Sequence, residues 1–575
     1  MTQQNSATAM ETATGRLPTA DSRDNGRLIS LGRSYTPHPM PSDPNRPIVV
    51  GASLAGTLVV MSLVLFWLLA PSNEAPAATL AVGSTFAPND NGATVTTGTT
   101  RVSTTVVEPS TTTEGTTPDQ PLHAWVDRST VGEPWGSVVE GLLTFRGNPT
   151  NTYYGTGPIP ITPEIKWTYP DSPMCSASTD LGVTSTWCGN GWTGQPVIWE
   201  RPDGITELIF GAYDRRLHFL DAESGRPTRS PILTGDIIKG TPTIDPDGYP
   251  LVYFGSRDNL LRIVALDRTE PVVIWEVEAK ISEGRWNDDW DASPRIVNDI
   301  MFEGAENGLF HIFRLNRNYD ELGLVTVDPE LLLKMVTYNE RLLNDIGPGY
   351  PAVSVENTAA IFEGRVYFAN SAGRVIGLDI ELVLAGVPAE EAIVFDYWVG
   401  DDVDASIVID EEGMLYVSVE YERYLDRAKE LGQLIKLDPY NETDPYLWGM
   451  YSLTEPPAKG GLWSTPALGK EVLYAVTNKG FLIAVDRETG EEVWVFEIGA
   501  GSWSSPAIVA GHLIVAGNNG LVHDFFIGGD ERTPDLQWTF QVGNGHIEST
   551  PAVWNGMIYL GNRDGFMYAI GEQNG

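Results

Sequence analysis

Cysteine is almost absent, with two in 575 residues, Cys175 and Cys188. Two cysteines 13 positions apart exclude a CxxC metal ribbon and a CxxCH haem attachment. Histidine is scarce too. His218, His311, His512, His523 and His546 fall singly, as packed or solvated side chains do and metal-ligand sets do not. Basic residues are outnumbered, 37 Lys and Arg against 76 Asp and Glu, for a formal charge of −39. That balance excludes nucleic acid as a partner, because no cationic field exists for phosphates. No GxSxG elbow, P-loop or HExxH helix occurs. Long apolar runs are also missing, with one exception.

The exception is Ile48 to Ala70, 23 residues without a charge. At about 1.5 Å per helical residue it spans a hydrocarbon core of about 30 Å. Trp67 stands near its far end, at interfacial depth. Arg16, Arg23, Arg27, Arg33 and Arg46 precede it, whereas Glu74 and Asp90 follow. The positive-inside bias puts residues 1–47 in the cytoplasm and the remainder outside the cell membrane. The expectation is a single-pass, uncleaved anchor, with a signal peptide cleaved near Ala77 as the alternative. Residues 1–47 lack periodicity and read as a disordered tail. Residues 71–125 are rich in Thr, Ser and Pro and read as a flexible linker. Outside the cytosol, Cys175 and Cys188 are expected to form one loop-stapling disulfide, with two buried free thiols as the alternative.

Residues 126–572 carry an internal repeat. GLWSTPALGKEVLYAVTNKGFLIAVDRETGEEVWVF from Gly461, GSWSSPAIVAGHLIVAGNNGLVHDFF from Gly501 and HIESTPAVWNGMIYLGNRDGFMYAIG from His546 align. Each reads as a Ser/Thr-Pro-Ala anchor, a short strand, a turn, an alternating strand, a Gly-bearing hairpin and another strand. Where the unit is complete, a Trp strand follows. Degenerate copies run upstream, so that anchors fall at Gln195-Pro196, Thr241-Pro242, Ser293-Pro294, Val353 to Asn357, Ala405-Ser406, Thr465-Pro466, Ser505-Pro506 and Thr550-Pro551. Their spacing of about 40 to 62 residues suits four-stranded blades. The expected fold is all-β: an eight-bladed propeller of antiparallel blades, with seven blades as the alternative because the Val353 unit is poorly formed. The last unit lacks its Trp strand, and the strand around Trp167 precedes the first anchor. The N-terminal strand is therefore expected to complete the last blade and close the ring.

Ala484, Asp486, Thr489, Gly490 and Trp494 resemble the tryptophan-docking motif AxDxxTGxxxW of the pyrroloquinoline-quinone (PQQ) repeat family. Phe145 to Asn148, FRGN, is similar to the opening of many PQQ-like propellers. The resemblance implies the propeller fold. Its enzymatic members, quinoprotein alcohol dehydrogenases, use PQQ, Ca²⁺ and a disulfide between adjacent cysteines. This chain has no adjacent cysteines, and the metal triad has no match at its usual spacing. PQQ is therefore not expected, nor is any obligatory cofactor. BamB-type assembly lipoproteins are non-enzymatic relatives, but they carry a lipid-modified cysteine where this chain has an apolar helix.

Acidic segments enter several innermost strands. They contain Asp289 and Asp291, Glu356, Asp402 and Asp404, and Glu548. If the blades align, these converge on one channel mouth and could hold Ca²⁺ or a cationic ligand. The plainer reading is solvated loop acids in an acidic chain. Glu303 to Gly308 fits either such a site or a hairpin turn. The functional expectation is a membrane-anchored, non-catalytic binding or scaffold module for an extracytoplasmic protein or envelope polymer. The alternative is a PQQ- and Ca²⁺-dependent oxidoreductase of alcohols or sugars.

Overall fold

The structure, a computed structural model, describes residues 126–573 apart from 137, 181, 192–193, 349–351 and 457. The apolar run 48–70, the tail before it and the linker through residue 125 lie outside the described residues. Among the described residues no helix is long and apolar enough to cross a membrane.

Eight antiparallel blades surround a central channel. Their innermost strands are Val197–Glu200, Thr243–Ile244, Arg295–Val297, Ala360–Phe362, Val408–Ile409, Ala467–Leu468, Ala507–Val509 and Ala552–Trp554, which number blades 1 to 8. Pro163–Tyr169 pairs with Phe566–Glu572 as the outermost strand of blade 8. The first and last parts of the propeller thus share one sheet, as the incomplete final repeat requires.

Alternation in the strands serves two interfaces at once. In Val472–Val476 every residue is buried. Leu473 and Ala475 pack toward Tyr416 and Trp448 of blade 5, while Val472, Tyr474 and Val476 pack toward Leu513 and Val515 of blade 7. Successive side chains point to opposite faces, so a strand between two sheets must be apolar throughout.

The Ser/Thr anchors have a specific role. The N–H of Gln195 donates to Thr241 Oγ1 (2.6 Å), and that of Thr241 to Ser293 Oγ (3.0 Å). Thr358 donates to Ser406 Oγ (2.9 Å), Ser406 to Thr465 Oγ1 (3.0 Å), Thr465 to Ser505 Oγ (3.0 Å) and Ser505 to Thr550 Oγ1 (3.3 Å). Thr550 N–H reaches Gly194 O at 3.3 Å and joins blade 8 to blade 1. Each hydroxyl satisfies a buried amide of the preceding blade, which an apolar residue could not do. In blade 4 the amide donor is Thr358, one residue beyond the Val353 to Asn357 stretch.

The docking motif divides between neighbours. Asp486 Oδ1 accepts from the N–H groups of Glu488 (3.0 Å) and Thr489 (2.8 Å), bracing the turn. Burial would raise this carboxyl, but those bonds and Arg532 prevail and hold it at about 2. Gly490, at φ +75°, lies under Trp448 of the preceding blade, whose indole N–H donates to Arg487 O (3.1 Å). Trp494 sits opposite Ala484 and packs edge-on against Phe525 of the next blade. Trp167 repeats the arrangement on Gly225, donating to Ala222 O (3.0 Å).

Residues 141–156 plug one end of the channel. Gly141–Leu142 adds a strand to blade 1. Further along, Leu143, Pro149 and Thr150 accept from Ile244, Ile361 and Ile409, and Thr156 N–H donates to Val553 O. Arg146, fully buried, donates to Pro506 O (2.5 Å) and Pro466 O (2.6 Å), with Tyr154 4.3 Å below its guanidinium. The segment 141–156 is therefore a hub for seven blades, with Arg146 of FRGN serving blades 6 and 7. Arg295 ties in blade 3, donating to Phe145 O (3.2 Å) and Asn151 Oδ1 (2.6 Å). The chain enters at this same face, where Glu363 N–H donates to Val126 O. The opposite face carries the loops leading into the innermost strands and the hairpins between the two middle strands of each blade.

Candidate functional site

The open face collects all six acids expected at the mouth, but it sorts them. Asp289 and Asp291, from the loop entering blade 3, come within 4.8 Å of Glu306, which lies in the middle hairpin of that blade. Cations already occupy this corner. Arg257 pairs with Asp289 at 2.5 Å, and Lys239 pairs with both Asp291 and Glu306. Glu548 pairs with Arg563 at 2.8 Å, whose guanidinium also lies over Trp187 and Tyr213. These two groups are ion-paired clusters built from different blades.

The blade 4–5 side is different. Asp402 and Asp404, on the loop into blade 5, face Glu420 and Glu422 from an insertion in that blade's middle hairpin. Arg423 lies 3.3 Å from Asp401 and 3.4 Å from Asp402. Asp404 accepts from Ser371 Oγ at 3.1 Å, and Glu356 accepts from Ser354 Oγ at 2.9 Å. Among the described residues neither Asp404 nor Glu420 makes an ion pair with a basic side chain. Glu420 is 2% exposed, and its Oε1, like Asp402 Oδ1, has no hydrogen-bond partner. Asp404 and Glu356 are only half-buried, so the group remains reachable from the channel.

Electrostatics follow from this crowding. Burial, then the neighbouring Asp404 and Glu306, push Glu356 up to about 8. Burial and Asp291 push Glu306 to about 8 against the pull of Lys239. Asp289 and Asp402 rise to about 7, held there by burial despite Arg257 and Arg423. Burial followed by carboxylate neighbours raises Asp404 and Glu420 well above the usual range. Crowding of this kind favours the neutral form of the carboxyls, and a cation brought beside them favours ionisation.

Beside these acids the wall is aromatic. Trp463 and Trp503, from the loops entering blades 6 and 7, stack with centroids 4.8 Å apart and planes 12° apart. Lys459 lies 5.0 Å over the Trp463 ring and pairs with Glu422. Glu420–Tyr421 pairs with Gly460–Gly461, which seats the insertion against this strap. A Cβ on Gly461 would lie 2.4 Å from Val419 O, so the approach requires glycine.

Sequence reasoning missed Lys239, Glu306 as a definite member, Glu420, Glu422, Arg423 and the two indoles. The available signal was geometric. In a four-stranded blade the middle hairpin and the loop into the innermost strand open on the same face, so charges in both belong to one inventory.

Cys175 and Cys188 face each other as a cross-strand pair in the hairpin Cys175–Asp180/Val183–Cys188 and are disulfide-bonded. His311 and His523 are buried, and burial lowers them to about 3 and about 4.

A PQQ-repeat family model, described as outer membrane protein assembly factor BamB, matches residues 432–575. Over those residues the chain matches the PQQ-repeat family, and the ring as a whole is an eight-bladed propeller. A europium-containing methanol dehydrogenase is 11% identical over 75% of this chain and 98% of its own, with a TM-score of 0.50, a likeness of fold alone. BamB from Moraxella catarrhalis is 11% identical over 71% of this chain and 98% of its own, with a TM-score of 0.33. No curated protein matches this chain.

Proposed function

We propose that this PQQ-like propeller is a non-catalytic binding module, anchored to a cell membrane by residues 48–70, whose open face receives a cationic part of an extracytoplasmic protein. The observation that carries the reading is the carboxylate group around Asp404 and Glu420, neither of which makes an ion pair with a basic side chain among the described residues. The chain enters at the plugged face, which leaves the acidic face free for a partner.

The enzymatic alternative is less well supported by the donor set. PQQ is itself a polycarboxylate, and the basic groups beside the mouth already serve Asp289, Asp291, Glu306, Asp402 and Glu548. An anionic quinone placed there would meet raised carboxyls rather than free cations, so these residues do not fit it. Ca²⁺ would compete for the same acids, and the reading requires no cofactor. An envelope polymer fits only if it carries positive charge.

The test is capture from envelope extracts by the wild-type propeller beside an Asp404→Asn/Glu356→Gln variant. The expected result is a partner retained by the first and lost by the second, with retention weakening as salt rises. Equal retention by both would remove the open face from the function. Dye-linked oxidation of an alcohol or sugar on adding PQQ and Ca²⁺ would overturn the non-catalytic reading.

A further inference from the structure

The blade 5–6 corner of the open face is more specific than an acidic surface. Four features meet there. Glu420 and Asp402 each keep a buried carboxylate oxygen without a hydrogen-bond partner. Asp404 stands next to them, half-buried and without an ion pair among the described residues. The stacked indoles of Trp463 and Trp503 form the adjoining wall. An ammonium group of this chain, Lys459, already lies against that wall and against Glu422.

Each feature selects for chemistry. A carboxylate set alone serves a metal ion as well as an organic cation. Flat indole faces add nothing for a hydrated divalent ion, but they attract ammonium and guanidinium groups through the ring quadrupole. Lys459 demonstrates the pairing. Its side chain is 52% exposed while its partner Glu422 is 8% exposed, so it covers the outer edge of the corner and can leave it. The inner carboxylates remain after Lys459 has taken Glu422.

We infer that this corner is a recognition site for a lysine or arginine side chain borne on an extended peptide segment of a partner, and that Lys459 is an intramolecular stand-in that the incoming cation displaces. The inference rests on the proposed binding function and names the chemistry recognised. The incoming side chain would enter along the Trp463 face, take Glu422 from Lys459 and bring positive charge to Asp404 and Glu420. Lys459 would swing into solvent on the strap before Gly460.

The experiment uses the full chain in detergent and calorimetry with a synthetic (Lys-Ser)4 peptide, a (Glu-Ser)4 control, spermidine and CaCl2. Wild type is expected to bind (Lys-Ser)4 and not the control. Lys459→Ala should tighten binding roughly fivefold, because an internal competitor has been removed. Glu420→Gln should weaken binding by roughly tenfold or more, through loss of a buried charge partner. Asp404→Asn provides a second, half-buried substitution, with circular dichroism reporting that both variants fold. Unchanged or weaker binding in Lys459→Ala overturns the stand-in role. Tighter binding of spermidine than of the peptide overturns a peptide-borne cation. Displacement of the peptide by Ca²⁺ at equal concentration overturns the organic-cation assignment. The capture experiment can still succeed while this one fails, if a partner depends on Asp404 but is indifferent to Lys459.

Discussion

Arg146 is the most demanding residue of the plug, and replacing it by methionine tests how the ring is held. Methionine keeps much of the buried stem volume but offers no donor. Pro466 O and Pro506 O, accepting at 2.6 and 2.5 Å, would be left buried without their donors. Each such loss costs about 1–3 kcal/mol. The guanidinium is fully buried, which lowers its pKa, so removing the charge returns part of that sum. Loss of the contact with Tyr154 at 4.3 Å adds about 0.5–2 kcal/mol. The net expectation is about 2–4 kcal/mol of destabilisation. Unfolding entropy of about 2.1 cal/mol/K per residue over roughly 450 ordered residues converts this into a Tm decrease of about 2–4 °C. Arg146→Lys, with one compact ammonium for two carbonyls, should recover about half. Differential scanning fluorimetry with limited proteolysis across residues 141–156 is the assay. A methionine variant with an unchanged or raised Tm would show that the plug does not depend on this contact and would refute the hub argument.

Raised carboxyl pKa values mean that the folded protein binds more protons than the unfolded chain above about pH 4. Stability should therefore fall as pH rises from about 4, through the values of about 7 for Asp289 and Asp402, to about 8 for Glu306 and Glu356. Glu356→Gln should flatten a plot of Tm against pH; a slope equal to wild type would remove this residue from the linkage. Glu303 is 1% exposed, both of its side-chain oxygens lack hydrogen-bond partners, and burial raises it well above the usual range. Glu303→Gln should raise Tm at pH 8 and change little at pH 4, and a loss of stability at both would contradict this account. A Cβ on Gly490 would lie 2.6 Å from the Trp448 ring, at φ +75°. Gly490→Ala should cost about 1–3 kcal/mol, whereas Gly386→Ala, with φ +76° and no atom within 4 Å, should cost less; equal Tm losses would discount the Trp448 contact.

Much of the architecture was legible because it is local and periodic. The Gly-bearing hairpins, the two-residue alternation and the incomplete final repeat each state a backbone requirement within one blade. The poorly formed Val353 stretch hid only the exact anchor, since the amide that donates to Ser406 belongs to Thr358, just beyond it. The acids at the channel mouth were legible as a convergence, not as an arrangement. Asp289 and Asp404 look alike in sequence, yet Arg257 neutralises the first and no basic side chain among the described residues pairs with the second. Glu420 lies in a short strand turned toward the channel mouth, ahead of the helix Asp426–Leu431, a placement that no local pattern states.

From the sequence alone came the repeat, the eight anchors, the closing Trp167 strand and the sign of the charge at the open face. Tertiary structure alone decided which carboxylates share a corner, that FRGN plugs the channel instead of merely opening the first blade, and that an ammonium lies against stacked indoles beside buried acids. The physical reason is the ring. Strand pairing and turns act between residues a few positions apart, whereas the channel mouth brings together side chains from different loops of one blade and from neighbouring blades. Their charges are settled by distance around the axis, which no local pattern encodes.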